Sequence, residues 1–268
     1  MTLAASLRDV RRLDLLATGD SPLHRLDPRA KLVAALAVVA VAMSYPRHTV
    51  GALLPWFALP LGAAVAAGLP LGFLFRRALV VLPFAAVVAI ANPWFDRVPL
   101  LHAGPWTISG GWLSFTSILL RALLAALVAL LLVATTGFPA LAAALERLAV
   151  PRPLVVQLLL LYRYLTLLGD EWQRVATART LRGNGRPLSL AAFGALAGSL
   201  LLRTAERAER IYAAMRARGF EGSFPAGRAF RFGATDAVFV AATAAAIVAL
   251  RAGDLPRRLG AWLLGLAG

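Results

Sequence analysis

HTVGALLPWFALPLGAAVAAGLPLGFLF, residues 48–75, contains no Asp, Glu, Lys or Arg. A transmembrane α-helix needs about 20 mostly apolar residues, so a run of this length reads as membrane-embedded. Similar runs lie between Lys31 and Arg47, Arg77 and Asp96, Arg121 and Glu146, and Arg231 and Arg251, the last interrupted only by Asp236. They predict spans near 30–46, 50–69, 77–95, 113–136 and 233–251. The fold class expected is an all-α polytopic membrane protein with about five transmembrane helices, with long charged helices inserted before the last span. Pro55, Pro60 and Pro83 lie inside these runs, where neighbouring helices can satisfy the freed carbonyls, so they read as kinks. The 96–111 segment, with Pro99, Gly104, Pro105, Gly110 and Gly111, reads as a long connecting loop. Trp94, Trp106 and Trp112 flank it as interfacial anchors do.

Composition agrees with this class. The 268 residues are 60% hydrophobic, against about 45–50% in soluble domains, and the mean hydropathy is +0.74. There is no cysteine, which excludes disulfide and thiolate chemistry. His24, His48 and His102 are too scattered to suggest a metal site. The formal charge is +15, but the basic residues lie between apolar blocks rather than in one nucleic-acid-binding patch. The first thirty residues are polar and mixed in charge, unlike a cleavable signal peptide.

Orientation follows from the basic residues, which are retained on the cytoplasmic side. Of the 28, all but Arg47, Arg97, Arg121, Arg251, Arg257 and Arg258 precede position 32, form the Arg76-Arg77 pair, or lie between 147 and 231. This asymmetry predicts a cytoplasmic N-terminus in a multi-pass protein of the cell (inner) membrane. The chain then divides into a cytoplasmic segment and four spans over 1–137, a cytoplasmic region over 138–231, and a last span with its tail over 232–268. Within 138–231, Leu154–Leu161 and Leu188–Leu202 are apolar blocks short for spans. They predict long helices with one buried end; two further crossings, giving seven spans, are the alternative. Arg121, inside a predicted span, is expected to snorkel to the outer interface or to pair with a partner subunit.

Two charged stretches stand out in that region. Asp170-Glu171-Trp172-Gln173-Arg174 runs on to Arg179-Thr180-Leu181-Arg182-Gly183, and Glu206-Arg207-Ala208-Glu209-Arg210 runs on to Met215-Arg216-Ala217-Arg218-Gly219-Phe220. Asp170 and Arg174, like Glu206 and Arg210, stand at i, i+4 and predict intrahelical pairs. Gly183 and Gly219 supply helix stops. An arginine in a last turn meets the helix dipole, but two exposed Arg-Gly tips also suit docking, because a guanidinium makes forked bonds to carboxylates or carbonyls.

Ala214-Met215-Arg216-Ala217-Arg218-Gly219-Phe220 resembles the second Ala-Arg-Gly-type motif of the transmembrane T component of energy-coupling-factor (ECF) transporters. Thr180-Leu181-Arg182-Gly183, or Ala178-Arg179-Thr180, resembles the first. Ser21-Pro22-Leu23-His24-Arg25-Leu26-Asp27-Pro28-Arg29-Ala30-Lys31-Leu32 is similar to the family's N-terminal sequence, and Asp27 also reads as an N-cap with Pro28 at the first helical position. The resemblance is strongest to CbiQ, the T subunit of cobalt uptake systems. One departure is Leu181, where the family commonly has a small residue.

The resemblance implies a non-catalytic subunit that relays the movement of two CbiO-like ATPase subunits to a CbiM-like substrate-binding membrane subunit, with room for a small accessory membrane subunit. It implies ATPase docking by Arg182 or Arg179 with Gly183, and by Arg218 with Ala217 and Gly219; Asp27, Pro28 and Arg29 organise the first helix. No cofactor is bound directly; ATP and Mg would be held by the ATPase subunits, in keeping with a sequence that has no phosphate-binding loop of the Gly-x-x-x-x-Gly-Lys-Ser/Thr type. Cobalt is the cargo implied, a vitamin such as biotin or folate the alternative. A lipid-processing membrane enzyme is the rival from another class, but its acidic pairs, Asp170-Glu171 and Glu206/Glu209, lie among arginines and read as surface ion pairs.

Overall fold

The computed structural model describes residues 12–96, 99–103, 106–182, 190–222 and 232–252. Among these the chain is helical apart from one hairpin, and it divides into two compact units. The first holds residues 13–137 together with the described chain from Phe232 onward; the second holds the described residues from Phe138 to Gly222.

In the first unit, α1 is Pro28–Met43, α2 is Val50–Ala66, α3 is Leu71–Trp94, α4 is Gly110–Thr136 and the C-terminal helix, α8, is Ala234–Ala252. The expected spans at 77–95, 113–136 and 233–251 fall in α3, α4 and α8, each long and apolar enough to cross a membrane. With 16 residues, α1 rises about 24 Å at 1.5 Å per residue, and α2 is also shorter than the others.

Of the three internal prolines, two lie at or beside 3₁₀ turns, while Pro60 lies within the regular helical stretch Ala58–Ala66. Leu54–Phe57, containing Pro55, and Leu79–Val81, just before Pro83, are 3₁₀ turns set into α2 and α3. Proline lacks an N–H and clashes with the carbonyl four residues back, and a tighter turn accommodates both. α2 ends at Gly68, whose φ of 67° lets Gly68 N–H reach Val65 and Leu69 N–H reach Ala64. That pair of hydrogen bonds is the Schellman stop.

α4 is the packing centre. One cluster joins Ala64, Leu74 and Ala78 to Leu123, Leu127 and Ala134; a second joins Val38, Ala42 and Trp56 to Leu124 and Val128, with Ile247 and Leu250 of α8 against it. Trp56 is fully buried and meets Tyr45 edge-to-face at 6.0 Å. At the start of α4, Gly111 lets the backbone of α3 approach closely: a Cβ there would lie 2.5 Å from the Asn92 carbonyl oxygen.

The 96–111 connection is not simply a loop. Pro99–Ala103 (β1) pairs antiparallel with Trp106–Ser109 (β2), with a register irregularity between Pro99 and Leu101. Pro99 sits at the first strand position, where its missing N–H is tolerated. Arg121 has acceptors within the chain: its guanidinium donates to the carbonyls of Met43, Tyr45 and Pro46 at 3.2, 2.9 and 2.9 Å. Met43 ends α1 and Tyr45 and Pro46 follow it, where carbonyls lack intrahelical donors, so Arg121 caps α1 from α4. At the same end, Tyr45 donates to the Leu250 carbonyl and lies under the Arg251 guanidinium, 4.4 Å from the ring centroid. His48 there pairs with Asp96 at 3.0 Å.

Candidate functional site

The second unit is built from α5, Phe138–Arg147; α6, Arg152–Arg182; and α7, Leu190–Ala217. Ala149, with φ 68°, turns the chain between α5 and α6, and Arg152 reaches back to Glu146 at 3.3 Å. Phe138 stacks on Tyr162 at 4.4 Å. The contacts between α6 and α7 include Trp172 against Phe193 at 5.2 Å and Arg207 to Glu171 at 3.7 Å. α6 over Arg152–Arg179 is also long and apolar enough to cross a membrane, although it is the least apolar of the four such helices.

Two concavities flank the contact between these helices. One, about 860 Å³, is strongly apolar and runs between the first part of α6 (Val156, Leu160, Tyr164) and the last part of α7 (Ile211, Met215), with Phe220 beyond it. The other, about 540 Å³, is lined by Val175, Ala178, Arg179 and Arg182 of α6 with Leu196 and Arg203 of α7. α7 crosses α6 in the antiparallel sense: Phe193 and Arg207, fourteen positions apart on α7, both meet the one turn of α6 that holds Glu171 and Trp172, and the first part of α6 faces the last part of α7 across the apolar concavity.

The two arginine tips therefore stand at opposite ends of the helix pair. Arg179 and Arg182 occupy the last turn of α6 and are exposed. Both line the same basic concavity, so the structure gives the two candidates one surface. Arg203 joins them; it is simply the first charge after an apolar run, and only the meeting of two helices reveals its company. Gly183 lies outside the described residues. Leu181 is 76% exposed, so the bulky residue at that position fills no core.

At the other tip, Ala217 ends α7 and Arg218 follows, both exposed. Gly219 has φ 78°; its N–H bonds Arg216 at 3.0 Å and the Phe220 N–H bonds Met215 at 3.0 Å. This is a Schellman cap, and Phe220 and Met215, the positions that make its hydrophobic contact, both line the apolar concavity. The Arg-Gly step thus has a local cause at the glycine, while the arginine side chain remains free to face outward. The expected i, i+4 pair of Glu206 and Arg210 forms at 3.8 Å, with both side chains exposed.

The N-terminal motif lies in the first unit. Asp27 is buried and accepts the Arg29 N–H at 2.8 Å, with Pro28 at the first helical position, as an N-cap should. The company it keeps was not legible in the chain. The Asp27 N–H donates to Oδ1 of Asp236 at 2.7 Å, and Lys31 Nζ donates to the Thr135 carbonyl at 2.8 Å.

Fold and surface together define a polytopic helical membrane protein that carries a separate helical unit with two arginine-tipped helix ends. The chain belongs to the CbiQ cobalt transport protein family, whose model matches residues 19–226. Over 93 residues it is 38% identical to the nickel permease LarQ of Lactiplantibacillus plantarum, a stretch covering 34% of this chain and 33% of that relative. The match thus spans about a third of the relative's length.

Proposed function

We propose that this chain is the transmembrane T subunit of an ECF transporter for metal-ion uptake, carrying ATP-driven movement of two ATPase subunits to a substrate-binding membrane subunit. The observation that carries the reading is the pair of exposed arginine tips at opposite ends of the α6–α7 pair, in a member of a cobalt transport family. Opposite ends suit two separate docking partners. Arg182 and Arg179 serve one, with Gly183 beside them, and Arg218 serves the other.

The subunit is non-catalytic: ATP and Mg belong to the ATPase subunits, and cargo choice to the substrate-binding partner. Cobalt is the cargo favoured by the family; nickel is the second reading, because a relative is named a nickel permease. The N-terminus lies on the cytoplasmic side of the cell membrane, and 138–231 forms the coupling region there. In support, α6 and α7 belong to a unit apart from the one that holds α3, α4 and α8. Arg163 also stands exposed within the apolar part of α6, where a crossing helix disfavours charge.

Co-purification tests the docking role. The double substitution Arg182→Glu and Arg218→Glu is expected to leave the chain in the membrane and to cut recovery of the ATPase subunits about tenfold or more, since buried charge-assisted contacts are lost and reversed. Undiminished recovery contradicts it.

A further inference from the structure

Three helix ends of the first unit meet around one buried group of charges. Asp236, 4% exposed, stands in the first turn of α8. Its Oδ2 accepts the Gly233 N–H at 2.8 Å, which is half of a capping box on α8. Its Oδ1 accepts the N–H of Asp27, the residue that caps α1, at 2.7 Å. One carboxylate therefore fixes the N-termini of two helices that lie 209 positions apart. Lys31, 5% exposed, reaches from α1 to the carbonyl of Thr135 in the last turn of α4, where carbonyls lack intrahelical donors. The cluster so ties α1, α4 and α8 at their ends.

These ends are also the places where the chain changes unit. It leaves the first unit after Gly137, two residues beyond Thr135, and among the described residues is back in it at Phe232, just before Gly233. Asp236 accepts two of these hydrogen bonds and Lys31 donates one, and a buried charge that loses such a partner is left desolvated and unpaired, so the group resists displacement.

We infer that Asp27, Lys31 and Asp236 are positioning residues for coupling: by holding the end of α4 and the starts of α1 and α8 together, they make these three helices answer as one body to the movement of the ATPase subunits. This rests on the T-subunit reading proposed above.

The test uses the whole complex, the chain with its ATPase and substrate-binding subunits in proteoliposomes, reading cobalt(II) uptake and ATP hydrolysis together. Lys31→Met, which leaves both helix N-caps in place, and Asp236→Asn are expected to retain subunit co-purification and hydrolysis. Cobalt(II) delivered per ATP should fall about tenfold, within the range that coupling-network substitutions reach. Amide exchange should rise at Gly137 in the first variant and at Asp27 and Gly233 in the second. If Asp236→Asn does not accumulate, Lys31→Met alone decides. Wild-type uptake per ATP in Lys31→Met, with faster exchange at Gly137, overturns the inference. If the wild-type chain recruits no ATPase subunit, the T-subunit reading itself has failed, and that is seen before any variant is compared.

Discussion

Gly219 separates two roles that the Arg-Gly step combines. Its left-handed φ of 78° and the bonds from Gly219 and Phe220 close α7, and a Cβ there would meet open space. Steric fit is therefore not at stake; backbone conformation is. Gly219→Ala should cost about 1–2 kcal/mol locally, the price of an L-residue in that region. It should fray the end of α7, lowering its amide protection, and weaken the hold on an ATPase subunit less than Arg218→Glu does. An unchanged exchange pattern in Gly219→Ala would contradict the capping role. Asp27 shows how far residue reading reaches. Its cap on Arg29 is local and visible in Asp27-Pro28, but its bond to Asp236 depends on packing between the first and last helices. Likewise, the three carbonyls that Arg121 holds lie 75 to 78 positions away, so its charge was visible and its purpose was not.

Among the elements, long apolar periods gave the helices and short or compensated features hid the rest. α3, α4 and α8 follow from long runs almost free of charge, and the 3₁₀ turns in α2 and α3 from the missing N–H of Pro55 and Pro83. The β1–β2 hairpin escaped because its strands are five and four residues long, amid prolines and glycines that also signal loops. Arg203 escaped for another reason: the basic concavity exists only where α6 and α7 flank it. The α5–α6 turn carries a testable strain. Ala149, at φ 68°, sits where glycine is preferred, although Val150 N–H still bonds Leu145 at 3.1 Å. Ala149→Gly should relieve about 1–2 kcal/mol of left-handed cost, offset by about 0.5–1 kcal/mol of added chain entropy in the unfolded state. A small rise in the thermal midpoint is expected; a clear fall would show that the alanine methyl packs usefully.

At the scale of the whole molecule, the polar ties sort into two groups at opposite ends of the first unit. Asp27, Lys31 and Asp236 gather the N-termini of α1 and α8 with the C-terminus of α4, while Arg121, Tyr45 and Arg251 gather the other ends of α1 and α8. In the orientation proposed from the basic residues the first group faces the cytoplasm and the second the outside. The chain has no cysteine, so introduced ones report without background. Ser199→Cys in α7 should react with an impermeant reagent only from the cytoplasmic side, and Ala252→Cys at the end of α8 only from the outside. The reverse pattern would invert the topology, and labelling of both from one side would require a different number of crossings.

The most direct measurement of the central claim is cobalt(II) uptake and ATP hydrolysis by the ATPase and substrate-binding subunits reconstituted with this chain, without it, and with its Arg182→Glu, Arg218→Glu form. A coupling subunit predicts hydrolysis-driven uptake only with the wild-type chain, and loss of uptake by about tenfold or more in the double variant as docking contacts reverse. Equal uptake with and without the chain, or with and without its two arginines, would contradict the account.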